Sequence, residues 1–236
     1  MTPLYQPEGG TLVGPSDKIL IIAPHPDDEV ISCGGLIAKY PGQVDVLCIN
    51  SSGVAYSPGE SAEKIADVRI EEFNRVMDLA GVDNRWIMKI WGTPPMFKQI
   101  NDHFHDYIQM VDLSAYDLIF LPHRFDGHRE HRYVANHLVP QMMRQYDLKP
   151  TLLVVEYEVW ASMEGPNYYE DISEYVSKKQ KMIDAYESRG KSRYASRVLG
   201  LNHYRGLISD HEYSEAFRVL RVQDYLKRVD DKSWDK

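Results

Sequence analysis

Apolar residues fall along this chain in short runs, separated by polar stretches with helical spacing. The run Ile19-Leu20-Ile21-Ile22, inside residues 18–23, leaves no polar face for water. It is predicted to be a strand covered on both sides. Pro24 and Pro26 close it, since neither can donate to a ladder. Residues 44–49 (VDVLCI), 86–91 (WIMKIW), 116–121 (YDLIFL) and 152–155 (LLVV, running on toward Trp160) are predicted to be four further strands. Between them the period changes. A short helix is expected near Gly34-Gly35, stopped by Pro41-Gly42. A long one opens at Ser57-Pro58-Gly59-Glu60 and runs to about Ala80. Ile65, Phe73, Val76, Met77 and Ala80 form its stripe, and Gly81 ends it. Residues 97–111, 132–146 and 173–186 complete the expected helices. The second turns Val134, Leu138, Met142 and Met143 inward, and the third Ile172, Val176 and Ile183. Buried strands alternating with amphipathic helices describe an α/β protein with a mostly parallel sheet.

Composition narrows the class. The 236 residues carry no linker and no fixed repeat, so residues 1–236 are expected to form one domain. A net charge of -8 argues against a nucleic-acid partner but not against a neutral sugar or a metal. Cys33 and Cys48 stand in apolar surroundings without C-x-x-C spacing, so they read as buried thiols. Residues 1–15 lack the basic flank and apolar core of a signal peptide, and no run is long enough to span a membrane. A cytoplasmic location is expected, and assembly into a homo-oligomer is left open.

The chemistry gathers behind two of the strands. Pro24-His25-Pro26-Asp27-Asp28-Glu29 follows the first, at the sheet edge where open α/β proteins bind ligands. His25 and Asp28 can reach one cation if the turn folds back, which leaves Asp27 as a base. His123-Arg124-Phe125-Asp126-Gly127-His128-Arg129-Glu130-His131 follows the fourth. His128 and His131 are three apart and share a helix face at its N-terminus. Both segments should meet on one edge. They offer histidines and an aspartate in the number a catalytic zinc uses, three protein ligands with one position open. Asn50-Ser51-Ser52-Gly53 should lie on the same edge, as a plain turn or as part of the site. Arg69 and Glu72 are helical neighbours, read either as a surface ion pair or as part of the site. His103 and His105, at i and i+2, read as surface residues. The stretch 188–206, with Arg189, Arg193, Arg197, Arg205 and then Arg218, reads as a solvated basic segment or as a lid over an acidic substrate group.

These motifs resemble the LmbE/PIG-L family of zinc-dependent N-deacetylases. The likeness lies in Pro24-His25-Pro26-Asp27-Asp28-Glu29 with Gly34-Gly35, and in Asp126-x-His128-x-Glu130-His131. It continues more weakly in Arg69-Ile70-Glu71-Glu72 and Tyr213-Ser214-Glu215-Ala216-Phe217. The resemblance implies a Rossmann-like open sheet flanked by helices, and hydrolysis of an acetamide on an N-acetylglucosamine-type sugar or conjugate. It assigns His25, Asp28 and His131 to zinc, with ferrous iron suiting the same ligands. It makes Asp27 the general base for the zinc-activated water, His128 the partner of the tetrahedral intermediate, and Arg69 a contact to substrate hydroxyls. Glu130 stands where members often carry aspartate, and is expected to orient His128 or His131. Tyr186 and Arg189 stand where many members carry histidine and glutamine. An amidase for another N-acyl compound and a non-catalytic sugar- or metal-binding relative are the other readings. Asp27 and His128 speak against the last, because binding needs neither.

Overall fold

A computed structural model describes residues 4–7, 10–51, 61–91, 95–189 and 193–231. In chain order the strands are β1 (Ile19–Ala23), β2 (Val44–Cys48), β3 (Arg85–Ile87), β4 (Leu118–Pro122), β5 (Leu153–Tyr157), β6 (Tyr168–Asp171) and β7 (Ser214–Arg221). The helices are α1 (Asp28–Lys39), α2 (Ala62–Ala80), α3 (Met96–Asp102), α4 (Phe104–Ile108), α5 (Arg129–Tyr133), α6 (Val139–Met143), α7 (Val176–Asp184), α8 (Arg193–Ser209) and α9 (Val222–Asp230). The strands form one seven-stranded sheet in the order β3-β2-β1-β4-β5-β7-β6. The first five are parallel, and β7 and β6 join antiparallel. The α/β, mostly parallel arrangement expected from the sequence is therefore present.

The apolar strands explain the layers. Ile19 and Ile21 of β1 face one core with Leu36, Phe73 and Met182, while Leu20 and Ile22 face another with Leu138, Met142 and Tyr225. Chain order reverses across β1: β2 lies on one side and β4 on the other. This is a topological switch point, where the loops leaving two adjacent strands part and open a crevice. Both histidine-bearing segments leave the carboxyl ends of β1 and β4.

Several boundaries differ from the periodicity. The helix expected over 97–111 breaks at His103 (φ -125°) into α3 and α4. The one expected over 132–146 begins earlier and widens into a π segment, Val134–Leu138, before α6. Pro140 lies just after it and has no N–H to offer the carbonyl of Asn136. The strand expected over 86–91 shortens to β3. The helix expected over 173–186 opens with a 3-10 turn, Ser173–Tyr175, and ends at Asp184. The start expected at residues 57–60 lies outside the described residues, and α2 is capped by Ser61, whose hydroxyl accepts from the Lys64 N–H at 3.2 Å. β6 and β7 escaped the pattern because their inward positions include Glu170 and Glu215, both 1% exposed. Among the described residues no helix is long and apolar enough to cross a membrane.

Candidate active site

The turn between β1 and α1 sets the geometry. Asp27 has φ +111°, in a region that a non-glycine residue enters at a cost of about 1–3 kcal/mol. Its surroundings hold it there. The Asp27 N–H donates to Glu29 Oε2 at 3.1 Å, and the His25 N–H to Asp28 Oδ2 at 2.9 Å. Arg69 reaches in from α2 to donate to the Pro26 carbonyl, with its guanidinium 3.5 Å from Asp27 Oδ2. Tyr186 donates its hydroxyl to the other oxygen of Glu29. The fold thus turns Asp27 and Asp28 in different directions, as the sequence suggested.

Three ligand atoms converge beside that turn. His25 Nδ1 lies 3.2 Å from Asp28 Oδ2 and 3.2 Å from His131 Nε2, and His131 Nε2 lies 3.0 Å from Asp28 Oδ2. A tetrahedral zinc with bonds of about 2.0–2.1 Å sets its ligands about 3.3 Å apart, so this trio has nearly the spacing of one face of such a site. Two imidazole nitrogens pointing at each other make poor partners without a proton or a cation between them. Asp28 Oδ1 is buried with no hydrogen-bond partner among the described residues. The donor set therefore fits a divalent cation. A second trio, His25, His128 and His131, has ligand atoms within 4.8 Å of one another. It is looser, and His128 is half exposed. The tighter set contains Asp28.

The charges point the same way. Burial pushes His131 down, but Asp28 and Asp126 outweigh it and raise its pKa to about 10. Burial likewise lowers His25, and the carboxylates of Asp28 and Glu130 raise it above its ordinary value overall. Burial would raise Asp28, yet the two histidines hold it well below the usual carboxylate range. The cluster stabilises positive charge, which protons supply when a metal does not. His128 goes the other way: burial and then the neighbouring His25 and His131 lower it below its ordinary value, which favours the uncharged ring. Its Nδ1 accepts from the Glu130 N–H at 3.3 Å, which places the ring proton on Nε2.

One supporting residue differs from expectation. Glu130 does orient a histidine, but that histidine is His25. Its carboxylate is 2.6 Å from His25 Nε2 and also accepts from Asn50 Nδ2 at 3.2 Å. Its longer side chain reaches across the crevice to the other strand's loop. Asn50 therefore belongs to the site, while Ser52 and Gly53 lie outside the described residues. The carboxylate that orients His131 is Asp126, 3.3 Å from its Nδ1. Asp126 also accepts from the His128 N–H at 2.8 Å and the Trp160 N–H at 3.0 Å, so it ties the second motif together. Gly127 lets this happen: a Cβ there would stand 2.9 Å from the Trp160 carbonyl. Arg69 and Glu72 are 2% and 4% exposed, which removes the surface-pair reading. Glu72 accepts from the Ser188 N–H and hydroxyl at 2.8 and 2.5 Å. Asp126, Asn50, Glu29 and Tyr186 had no role assigned from sequence. Asp126 and Glu29 stood inside the motifs, Asn50 opened the loop expected at the ligand edge, and Tyr186 stood out only as a departure from the family pattern.

The sequence pattern of the PIG-L family, described as GlcNAc-PI de-N-acetylase, matches residues 20–143, more than half of the chain. The chain belongs to the PIG-L family. The matched stretch contains both motifs and Arg69. The chain is also 25% identical over 227 residues to the diacetylchitobiose deacetylase of Thermococcus kodakarensis, covering 86% of this chain and 83% of that one. Among solved structures, it resembles N,N'-diacetylchitobiose deacetylase from Pyrococcus horikoshii with a TM-score of 0.71 and 20% identity, over 89% and 85% of the two chains. It also resembles GalB, the 4-carboxy-2-hydroxymuconate hydratase of Pseudomonas putida, with a TM-score of 0.65 and 18% identity, over 86% and 96%. The shared fold thus carries more than one reaction, so the PIG-L site has to be read from its own residues.

Proposed function

We propose that this PIG-L protein is a metal-dependent N-deacetylase that hydrolyses the acetamide of an N-acetylated sugar or sugar conjugate. The observation that carries the proposal is the convergence of His25 Nδ1, Asp28 Oδ2 and His131 Nε2 within 3.2 Å, beside a strained Asp27 assigned no place in that trio. His25, Asp28 and His131 would hold the cation, zinc by preference, with ferrous iron suiting the same donors. Bound there, it polarises the amide carbonyl and brings water's pKa to roughly 7.

This chain's own residues do the rest. Asp27 takes the proton of the attacking water as general base, its carboxylate aimed by Arg69 and its backbone by Glu29. His128 presents its Nε2–H to the oxygen on which negative charge develops, and then gives that proton toward the departing amine. Asp126 and Glu130 hold His131 and His25 in orientation. The contact of Arg69 with substrate hydroxyls would be made at the floor of the site, beside Asp27. The relatives named as diacetylchitobiose deacetylases support an N-acetylglucosamine-type substrate. Cys33 and Cys48, both free and buried, suit the reducing cytoplasm expected from the sequence.

The test is acetate release by the zinc-loaded protein, from N-acetylglucosamine conjugates and from unrelated acetamides side by side. Release confined to the sugars is the expected result. Equal release from simple acetamides would move the reading to a general amidase. No release from any, with metal bound, would leave a binding protein.

A further inference from the structure

Burial of the Tyr186 ring needs no hydroxyl. Tyr186 belongs to the core that holds Leu36, Phe73 and Met182, where a phenylalanine would fill the same space. A hydroxyl taken out of water there is costly unless it finds a partner. The partner is Glu29 Oε1. Glu29 is itself fully buried, and its other oxygen accepts from the Asp27 N–H at 3.1 Å. The Tyr186 hydroxyl is therefore two hydrogen bonds from the backbone of the residue read as the general base.

The segment that carries Tyr186 is anchored as well. α7 ends at Asp184, and α2 grips residues 185–188 beyond it. Arg75 Nη2 donates to the Ala185 carbonyl at 2.9 Å, and Glu72 takes both the N–H and the hydroxyl of Ser188. Arg69, three residues before Glu72 and so on the same helix face, donates to the Pro26 carbonyl and faces Asp27. The contacts close a ring. It runs from α2 to residues 185–188, from Tyr186 to Glu29, from Glu29 to Asp27, and from Asp27 back to Arg69 of α2. Segments far apart in sequence meet at the residue whose backbone is strained. A single hydrogen bond lets its partners rock together, whereas a closed ring fixes their separations. The stretch 188–206, read from sequence as a solvated basic segment or a lid, opens as part of this anchor, and its Arg205 is buried on Glu158.

We propose that Tyr186 is a positioning residue for the deacetylation step, acting through Glu29 to hold Asp27 at the angle from which it takes the water's proton. The proposal rests on the deacetylase reading and deepens it. Asp27 at φ +111° has less strained conformations to relax into. Glu29 keeps it out of them only while its carboxylate faces the Asp27 N–H. One hydrogen bond leaves that carboxylate free to turn about its last torsion. A second one, from the Tyr186 hydroxyl to the other oxygen, fixes its plane. Without the hydroxyl the Asp27 backbone relaxes and its side chain shifts, and a misplacement of about 1 Å costs a reacting group about 10²-fold in rate. The metal ligands His25 and His131 are oriented by Glu130 and Asp126 instead, so they stay in place.

The experiment measures kcat, KM, zinc content and unfolding midpoint of the zinc-loaded protein, with an N-acetylglucosamine glycoside as substrate. Tyr186→Phe should lower kcat roughly 10–100-fold, with KM and zinc content unchanged. Glu29→Gln should lower kcat comparably. The double variant should fall no further than the worse single one, because both changes break the same support. Tyr116→Phe is the control. It takes a buried hydroxyl off Asp45, 2.8 Å away at the amino edge of the sheet, and should lower the midpoint with kcat intact. An unchanged kcat in Tyr186→Phe, at whatever midpoint, would overturn the proposal and leave the hydroxyl a structural role. Three other results would overturn it too: loss of zinc, a raised KM at unchanged kcat, and losses that multiply in the double variant. No acetate from the unaltered protein would instead remove the reading on which the proposal rests.

Discussion

Two buried ionic clusters lie along α1, and they are finished to different degrees. At its far half Lys179 Nζ pairs with Glu215 Oε1 at 2.7 Å, both essentially inaccessible. α1 is kinked at Cys33 (φ -122°), which frees backbone N–H groups in the middle of the helix. Glu215 accepts from two of them, Gly35 at 2.6 Å and Leu36 at 2.9 Å, and so caps the second half as if it were a new helix. Gly35 has to be glycine here, since a Cβ would stand 2.3 Å from Ile172. Every charge in that cluster has its partner. At the N-terminal end, His25, Asp28 and His131 face one another with like nitrogens at 3.2 Å and a carboxylate oxygen left over. The first cluster is closed and serves the fold. The second leaves a buried oxygen unmet and two like nitrogens facing each other, the condition expected of a site built to take a cation.

The two clusters should differ most at the histidines. His25→Ala or His131→Ala should remove both bound metal and acetate release. Full metal content in either variant, by elemental analysis, would take that residue out of the ligand set. Asp27→Asn should keep the metal and lower kcat by roughly 10²–10⁴, the usual worth of a general base. If it loses the metal, the division of labour between Asp27 and Asp28 is wrong. His128→Ala should behave like Asp27→Asn for loss of an oxyanion partner. Neither change should lower the midpoint of unfolding much, because strained or unsatisfied sites are not optimised for stability.

Glu215→Ala should do the reverse. It leaves Lys179 charged and alone in the core and uncaps two N–H groups, so a loss of about 3–5 kcal/mol in denaturant titration is expected. Glu215→Gln, which keeps the capping oxygen, should recover part of it. A cost under about 1 kcal/mol for Glu215→Ala would show that the cluster is not what holds the kinked helix.

A smaller effect follows from His131, whose pKa of about 10 lies above its unfolded value near 6.5. In the metal-free protein the stability from this raised pKa is full below pH 6.5 and is lost as pH rises through about 10. A cation must displace that proton, so apparent zinc affinity should climb between pH 7 and 9 by up to about tenfold per unit. Competition titrations at the two pH values check this, and a flat profile would deny His131 the metal. The smallest effect belongs to the surface. Burial raises Asp117, but Lys149 at 2.7 Å and the Lys18 N–H together outweigh it and lower it overall. That contribution is present above about pH 4 and is lost as pH falls below the folded pKa. Asp117→Asn should cost under about 1 kcal/mol at pH 7, since the pair is partly exposed and screened by salt.

Much of the parallel half was legible in the sequence. A strand buried on both faces is mostly apolar, so β1, β2, β4 and β5 announced themselves as apolar runs, despite Asp45 in β2 and Glu156 near the end of β5. The chemistry was legible too, because Pro24-His25-Pro26-Asp27-Asp28 and Asp126-x-His128 follow two of those runs directly, and chain connectivity fixes which end of a strand a loop leaves. The antiparallel half was not. Glu170 and Glu215 occupy inward positions of β6 and β7, and Lys39 and Lys179 neutralise them from other elements. A sequence pattern counts such residues as solvent-facing.

The sequence by itself determined which residue types stand at the ligand edge of the sheet and at what local spacing, because strand period and turn chemistry act over a few residues. Only the tertiary structure decided the partners. It placed Glu130 on His25 rather than on the histidines of its own motif, buried Arg69 against Asp27, and brought Glu215 to the Gly35 N–H from 180 residues away. Charge–charge attraction and hydrogen bonding carry no sequence period. Their pairs are chosen by where the packed strands and helices bring distant segments together, and by which buried groups burial leaves in need of a partner.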